Sequence, residues 1–420
     1  MRRIHHEGTI VTISHPSGLQ ISGLEGLLLF LPSSEHTQRG ERSQRQHPSA
    51  NPPFPNRWYV TSTTMVSKVD SEPNSTLPPS QTEASKFTST RRKPPTLEDR
   101  DKESFWHGIY YTVMILLNTM MYLTVICLAI YTAAVYYAPS MLVRTILLLY
   151  IPYVLLDRTH VHGITSWRWV SYETIEQVRS WPTLWAATAY FPAIVHKTHD
   201  LDPSKPYILT YHPHGVISMG LNCALNTNGA GFPELFPGLR RWGVTLREVF
   251  YFLLVREFVL ALGFISCERS TLENKLREGD SIVLCTGGAE EALYAQKGRF
   301  TLYLKRRKGF IRLALETGAA VVPCLGFGEN DAFATLDVAN DSALMKTLLQ
   351  IRKFLRFSTP IMTWPIPRRT PIHVVVGAPV QFAPGTSVDQ CHTQYIQAVS
   401  QLYEAHKSKY GHEKIPLEII

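Results

Sequence analysis

Between Glu103 and Arg144 the chain has no aspartate, glutamate, lysine or arginine. That gap is about twice the roughly 20 residues a membrane-spanning helix needs, and soluble helices seldom run so far without a charged face. Cysteine is sparse and scattered, at 127, 223, 267, 285, 324 and 391. No two form a Cys-x-x-Cys pair, so neither a zinc site nor a disulfide framework is indicated. A Gly-x-Ser-x-Gly elbow is missing, and no cysteine stands beside a histidine in a turn. A nucleophile belonging to the protein is therefore not expected. No internal repeat is visible. Acidic residues number 34 against 42 lysines and arginines, giving a formal net charge of +8 and a pI near 9.1. Such a balance suits an anionic partner, whether a phosphate-rich cofactor, an anionic membrane face or nucleic acid.

Residues 1–100 are rich in Ser, Thr, Pro, Gln and Arg and poor in sustained apolar periodicity. They read as a disordered N-terminal tail. Residues 1–64 are expected to be dispensable, an extension ahead of Met65, where a more ordinary polar tail begins.

The uncharged stretch 104–143 is followed by a second apolar run through Leu156, interrupted at Pro139-Ser140 and kinked at Pro152. The spacing predicts helices near 107–137 and 141–156, together a membrane-embedded hairpin over 104–158. Arg91-Arg92-Lys93 precede it and Arg158 and Arg168 follow, which places both ends on the cytosolic side. The second helix is short for a full crossing and fits a re-entrant wedge. Trp167, Trp169, Trp181 and Trp185 crowd the segment behind it, as amphipathic aromatics do at a membrane interface.

From 160 to 420 strand-like runs alternate with helical patterns. Pro206–Thr210, Ser281–Cys285, Ala319–Leu325 and His373–Gly377 read as strands, and Phe310–Thr317 and Cys391–Lys407 as helices. The alternation predicts an α/β domain, a mostly parallel sheet covered by helices. In open α/β sheets ligands bind at the carboxyl ends of the strands. Three such ends carry chemistry. The first gives Tyr211-His212-Pro213-His214-Gly215, two imidazoles on a stiff turn. The second gives Gly287-Gly288-Ala289-Glu290-Glu291, and the third Glu329-Asn330-Asp331. A histidine near a carboxylate makes a general base, because the acid orients the ring and offsets the imidazolium charge. The amides of Gly287 and Gly288, at a helix start, are placed to hold an anion. A base without a nucleophile points to activation of a substrate hydroxyl for direct transfer. The run Lys305-Arg306-Arg307-Lys308, then Gly309 and Arg312, suits either a phosphorylated carrier such as coenzyme A or a solvated or lipid-facing surface.

These motifs together resemble the diacylglycerol acyltransferase 2 family, which includes monoacylglycerol acyltransferases and wax synthases. The matching residues are Tyr211–Gly215, Gly231-Phe232 with Phe236-Pro237-Gly238, Gly287–Leu293, and Arg307–Leu315 continuing through Gly318-Ala319 and Val322-Pro323 to Phe327–Asp331. Arg368-Arg369, Pro371-Ile372 and Val375–Gly377 close the match, which covers roughly 105–410. The resemblance implies transfer of a fatty acyl group from acyl-CoA to the free hydroxyl of diacylglycerol, giving triacylglycerol. It implies a glycerolipid acyltransferase-like catalytic domain facing the cytosol, at the endoplasmic reticulum membrane or a lipid droplet surface. His214 would be the base and Glu291 its acidic partner, with His212 beside them. Gly215, Gly287, Gly288, Arg306, Arg307, Lys308 and Arg312 would bind substrate. No metal or cofactor is implied, since acyl-CoA is a substrate, and no nucleic acid; a homo-oligomer is left open.

Two features depart from related patterns. Glycerolipid acyltransferases carry an Asp five positions after the His, but here that position is Met219, so the acid comes from elsewhere. The segment Tyr111–Asn118 is a poor copy of the family's neutral-lipid motif. Acceptor choice stays open between diacylglycerol, monoacylglycerol and a fatty alcohol. Readings of other classes are a hydrolase with His212 and His214 as metal ligands, which has no supporting third ligand nearby, and a non-catalytic lipid-droplet coat protein.

Overall fold

Six consecutive residues, Tyr207–His212, are sealed from solvent, and the sheet is assembled around them. A run this apolar can be satisfied only with neighbours on both edges and cover on both faces. The computed structural model describes residues 120–420 apart from 168, 341, 357, 359 and 365, together with three short N-terminal strands. Those strands are β1 (Arg2–His6), β2 (Thr9–Ile13) and β3 (Thr61–Ser62), paired antiparallel. The rest of the tail expected over 1–100 lies outside the described residues. Thr9-Ile10-Val11-Thr12-Ile13 is a strand-forming run.

The residues from 91 onward form a separate unit. Its strands are β4 (Ile194–Lys197), β5 (Tyr207–His212), β6 (Arg241–Thr245), β7 (Phe264–Ser266), β8 (Ser281–Leu284), β9 (Phe300–Leu302), β10 (Ala320–Phe327), β11 (Ala334–Thr335), β12 (Met362–Trp364), β13 (His373–Val376) and β14 (Leu417–Ile419). Seven make the main sheet, in the order β4-β13-β10-β5-β8-β6-β7. Every pairing in it is parallel except β10 with β13. The expected mostly parallel α/β sheet is therefore present. Register aligns Thr210 with Leu284 and His212 with Leu325, so β5, β8 and β10 end at one edge.

Alternation along β5 divides its side chains between two cores. Tyr207, Leu209 and Tyr211 enter one, which also holds Phe191, Leu225, Val259 and Phe264. Ile208 enters the other, with Phe310, Leu325, Tyr395 and Tyr403. The long helix Val388–His406 covers that second face. Cys391, Tyr395, Val399 and Tyr403 recur every four residues on its buried side, and Ser387 and Gln390 close a capping box at its start.

Ahead of the sheet lie two apolar helices, Met120–Tyr136 and Met141–Leu156, joined at Pro139-Ser140. They match the expected pair from residue 120 on; the expected helical residues 107–119, and with them Tyr111–Asn118, lie outside the described residues. Their outer faces are apolar, with Val125, Leu142 and Leu156 all at least two-thirds exposed. Among the described residues no helix is long and apolar enough to cross a membrane. The pair is fastened to the domain through Arg256, whose buried guanidinium pairs with Asp157 and Glu257 and stacks over the Tyr153 ring.

A second buried cation locks the β6–β7 side of the sheet. Arg179 Nε donates to the Leu262 carbonyl at 3.0 Å, Nη1 to Glu176 at 2.8 Å and Nη2 to the Arg241 carbonyl at 3.0 Å. Burial would raise the Glu176 carboxyl, but Arg241 and Arg179 outweigh it and hold it at about 2. Arg179→Met removes one charged donor from each of these three acceptors, leaving the Glu176 carboxylate to Arg241 and Asn228, the Arg241 carbonyl to Tyr172 and the Leu262 carbonyl to Asn226. We expect it to cost about 3–5 kcal/mol of stability, read as a lowered midpoint in chemical denaturation; an unchanged midpoint would assign the network no structural weight.

Candidate functional site

Where β5 ends decides which histidine meets solvent. His212, the last strand residue, points into the second core and is fully buried. Its Nε2 lies 2.9 Å from the Tyr395 hydroxyl and 3.0 Å from Thr286 Oγ1, and its Nδ1 is 3.7 Å from Glu291 Oε1, an ion-pair distance rather than a hydrogen bond. The His212–Pro213 peptide is cis. Past it the chain leaves the sheet, and His214 is half-buried with part of its ring open. His214 Nδ1 is 3.0 Å from the Gly215 carbonyl. A carbonyl only accepts, so the neutral ring carries its proton on Nδ1 and keeps the Nε2 lone pair free. Burial lowers the His214 pKa, with the Gly215 contact and Glu291 acting in the opposite direction. The ring is thus neutral at neutral pH, in the tautomer that accepts a proton.

Glu291 is buried at the base of the same turn. Its Oε1 accepts the His214 backbone N–H at 2.7 Å and its Oε2 accepts the Tyr303 N–H at 2.8 Å. Burial alone would raise its pKa, but His212 and the His214 amide overcome this and hold it below the usual carboxylate range. The expected pairing of this acid with the His214 ring is therefore not what the structure shows. The carboxylate grips the backbone of 214 and faces the ring of 212, while a carbonyl orients the ring of 214. The reason is where the strand ends: residues two apart on a strand share a face, but His214 lies past the end of β5, and there its amide rather than its ring meets Glu291. Gly287 permits this arrangement, since a Cβ there would stand 2.0 Å from Glu291 Oε2.

The third strand end contributes Glu329, on the Tyr211 side. It accepts from the Tyr211 hydroxyl at 2.7 Å, the Met219 N–H at 2.8 Å and the Gly220 N–H at 2.7 Å. Gly215 has φ +61°, and a Cβ on it would collide with this carboxylate at 2.4 Å. Sequence reading noticed Glu329 as a strand-end acid but gave it no role. Tyr395, far along the chain, was missed altogether, and nothing local marks it among the other tyrosines. Thr286 adjoins the Gly-Gly turn and could have been taken from that motif.

The two glycines differ from expectation. The Gly288 N–H is used by the Cys285 carbonyl at 3.1 Å, so it is not available for an anion. Of the basic run, Arg307 pairs with Glu290 at 2.5 Å, within 3.8 Å of where a Gly288 Cβ would be, and Lys308 pairs with Asp389 at 2.6 Å. Arg352 takes the other Glu290 oxygen. Lys305, Arg306 and Arg312 remain exposed. The nearest thiol, Cys285, is 3.2 Å from Ser218 Oγ, and burial drives its pKa far up, so it is a poor nucleophile. The two imidazoles address different partners and do not converge on a common point as metal ligands would.

The profile of the diacylglycerol acyltransferase family matches residues 135–419. Diacylglycerol O-acyltransferase 2A of Umbelopsis ramanniana is 36% identical over 289 residues, spanning 64% of this chain and 79% of that protein. The bovine (Bos taurus) 2-acylglycerol O-acyltransferase 1 is 35% identical over 287 residues, 63% of this chain and 82% of that protein. Among solved structures, the 1-acyl-sn-glycerophosphate acyltransferase of Thermotoga maritima superposes with a TM-score of 0.36 at 14% identity, over 71% of this chain and 98% of that one.

Glu329 supplies a test of the site's electrostatics. Burial pushes its pKa up from 4.5 to about 7, against the pull of its three donors. A raised folded-state value means stabilisation that is complete below pH 4.5 and lost as pH climbs through about 7. Thermal unfolding of the wild-type chain should therefore weaken between these limits relative to Glu329→Gln, which has no charge to develop. Parallel pH profiles would contradict it.

Proposed function

The chain belongs to the diacylglycerol acyltransferase family, and from that premise we propose that it transfers a fatty acyl group from acyl-CoA to the free hydroxyl of diacylglycerol, forming triacylglycerol. The observation that carries this reading is the free Nε2 of a neutral, half-open His214. The acceptor hydroxyl gives its proton to that nitrogen as its oxygen attacks the thioester carbon. The C–S bond breaks, and the imidazolium returns the proton to the leaving thiolate. No cofactor enters, because acyl-CoA is consumed as a substrate. Glu291 positions the turn through the 214 amide, and its negative charge steadies the imidazolium. His212 holds Glu291 and the strand end from below. The Gly287 and Gly215 amides, which have no hydrogen-bond partner among the described residues, stand nearest for the developing oxyanion. A second reading, monoacylglycerol as acceptor, is favoured by the 35% identity to a 2-acylglycerol O-acyltransferase.

The helix pair 120–156 fits insertion into the endoplasmic reticulum membrane or a lipid droplet surface. Seventeen and sixteen residues span about 26 and 24 Å, less than the roughly 30 Å of a hydrocarbon core. That length suits a hairpin seated from the cytosolic side. Trp169 and Trp181, exposed behind it, suit the interface.

His214→Ala keeps its backbone N–H, so Glu291 stays in place and only the base is removed. It should lower kcat by about 10²- to 10⁴-fold with unchanged folding. His212→Ala should act mainly on stability, by about 1–3 kcal/mol, because Tyr395, Thr286 and Glu291 all lose a buried partner. The acid limb of kcat/KM should fall below pH 6.5, the ordinary histidine value, since a lowered pKa keeps the base unprotonated further down. Near wild-type kcat in folded His214→Ala, or an acyl group trapped on serine or cysteine, would defeat the mechanism.

The donor side is tested by Arg306→Ala combined with Arg312→Ala, which leaves the Arg307–Glu290 and Lys308–Asp389 pairs intact. The apparent KM for acyl-CoA should rise about threefold or more while that for diacylglycerol holds. Equal values for both would reduce these cations to surface decoration.

A further inference from the structure

The mechanism leaves one cleft unused. It encloses about 50 Å³ and opens to solvent, between helix Pro182–Tyr190, the segment Ile217–Thr227 and helix Val255–Ala261. Small-molecule sites typically measure about 300–1,000 Å³, so only the end of a chain fits within it. Most of the polar side-chain atoms in its wall are already engaged. Asn222 Nδ2 donates to the carbonyls of Ile217 and Ser218 at 3.1 and 3.0 Å. Asn226 accepts from Arg179 and donates to the Leu262 carbonyl, both at 3.3 Å, and the Thr227 hydroxyl donates to the Cys223 carbonyl at 2.8 Å. With these satisfied, the cleft offers an occupant almost only apolar surface, and hydrocarbon gains most from it. One wall is a single π-helical turn, Leu221–Asn226, of the kind that recurs at functional sites. The small side chains of Ala187 and Cys223 keep the space open.

Its position links the reacting turn to the apolar helices. Ile217 and Met219 in the wall lie on the segment that starts at His214, whose carbonyl accepts the Ser218 N–H at 2.9 Å and the Ser218 hydroxyl at 3.0 Å. Opposite, Phe258 and Val259 sit on the helix that packs against Met120–Tyr136, and Leu123 and Cys127 of that helix join the same core. The exposed cations Lys305, Arg306 and Arg312 belong to the other face, where Phe310 and Ile311 enter the second core. The phosphate-bearing donor is thus served from one side of the sheet and a hydrocarbon chain from the other.

We propose that the cleft holds the end of an acyl chain of the lipid acceptor, delivered from the side of helix Met120–Tyr136, so that the acceptor's free hydroxyl lies at the His214 turn. This rests on the acyltransferase reading above. Acceptor discrimination then depends on how much chain the cleft admits, and Cys223, at its wall, sets that limit.

The test uses the full chain in lipid nanodiscs and two photoreactive probes. One is a diacylglycerol with a diazirine at the end of one acyl chain, the other a fatty acyl-CoA with a diazirine at the same place. The diacylglycerol probe should label peptides within 217–227 and 255–264, in wild type and in His214→Ala alike, because binding does not require the base. Labelling of these peptides by the acyl-CoA probe alone, or diacylglycerol labelling only elsewhere, overturns the assignment. Cys223→Trp fills the cleft and should cut kcat/KM for a long-chain diacylglycerol about tenfold or more while a dihexanoyl acceptor keeps its value within about twofold. Equal losses for both acceptors overturn it as well. If Cys223→Trp does not fold, labelling of the wild-type chain decides. Should the wild-type chain transfer no acyl group to any acceptor while the diacylglycerol probe still labels the cleft, the function reading fails and the binding site stands.

Discussion

One buried carboxylate joins the parts of this site. Glu291 takes the N–H of His214 on one oxygen and the N–H of Tyr303 on the other, with the His212 ring alongside. Those contacts come from the end of β5, the turn after β8 and the segment after β9. An ionised carboxylate sealed from water is costly unless its oxygens are satisfied, so the three segments can adopt only arrangements that supply the donors. Glu329 does the same one strand over, binding Tyr211, Met219 and Gly220. Between them the two acids fix where the chain turns after β5, and with it where the proposed base stands.

This arrangement separates two tasks that are often assigned to one triad. The proposed base is oriented by its own neighbour's carbonyl, through Gly215, and the acid holds the backbone. The His214 ring therefore needs no side-chain partner and can stay half-open. The inner imidazole, His212, fills the triad-like place beside the acid but is closed off by Tyr395 and Thr286. Two histidines two residues apart thus take different fates, because His212 is the last residue of β5 and His214 lies past its end, where the strand no longer sets side-chain direction.

The surroundings proposed to face substrate are likewise divided between the two faces of the sheet. Exposed cations follow β9 on one side; an apolar cleft and the apolar helix pair lie on the other. Arg307 is drawn out of the exposed run, since its pairing with Glu290 brings a cation up to the Gly-Gly turn. That engagement also explains why a run of four cations offers fewer ligating groups than its sequence promises.

The parallel α/β architecture, the three polar strand ends and the apolar helix pair were legible in the sequence, because each depends on local pattern: buried runs such as Ile208-Leu209-Thr210, glycines beside polar residues, and the absence of charge from 104 to 143. The paired strands Arg2–His6 and Thr9–Ile13 rest on equally local patterns and were passed over because their surroundings are compositionally biased. What the sequence could not determine is partnership. Whether Glu291 meets a ring or an amide, whether Arg307 is free or paired, and that Tyr395 closes the back of His212 all depend on which way side chains project from strands and helices brought together from up to 185 positions apart, as Thr210 and Tyr395 are. Residue types and their order are properties of the chain, but distances between them are set by the register of the sheet and the helices laid across it, and only the folded structure contains that information.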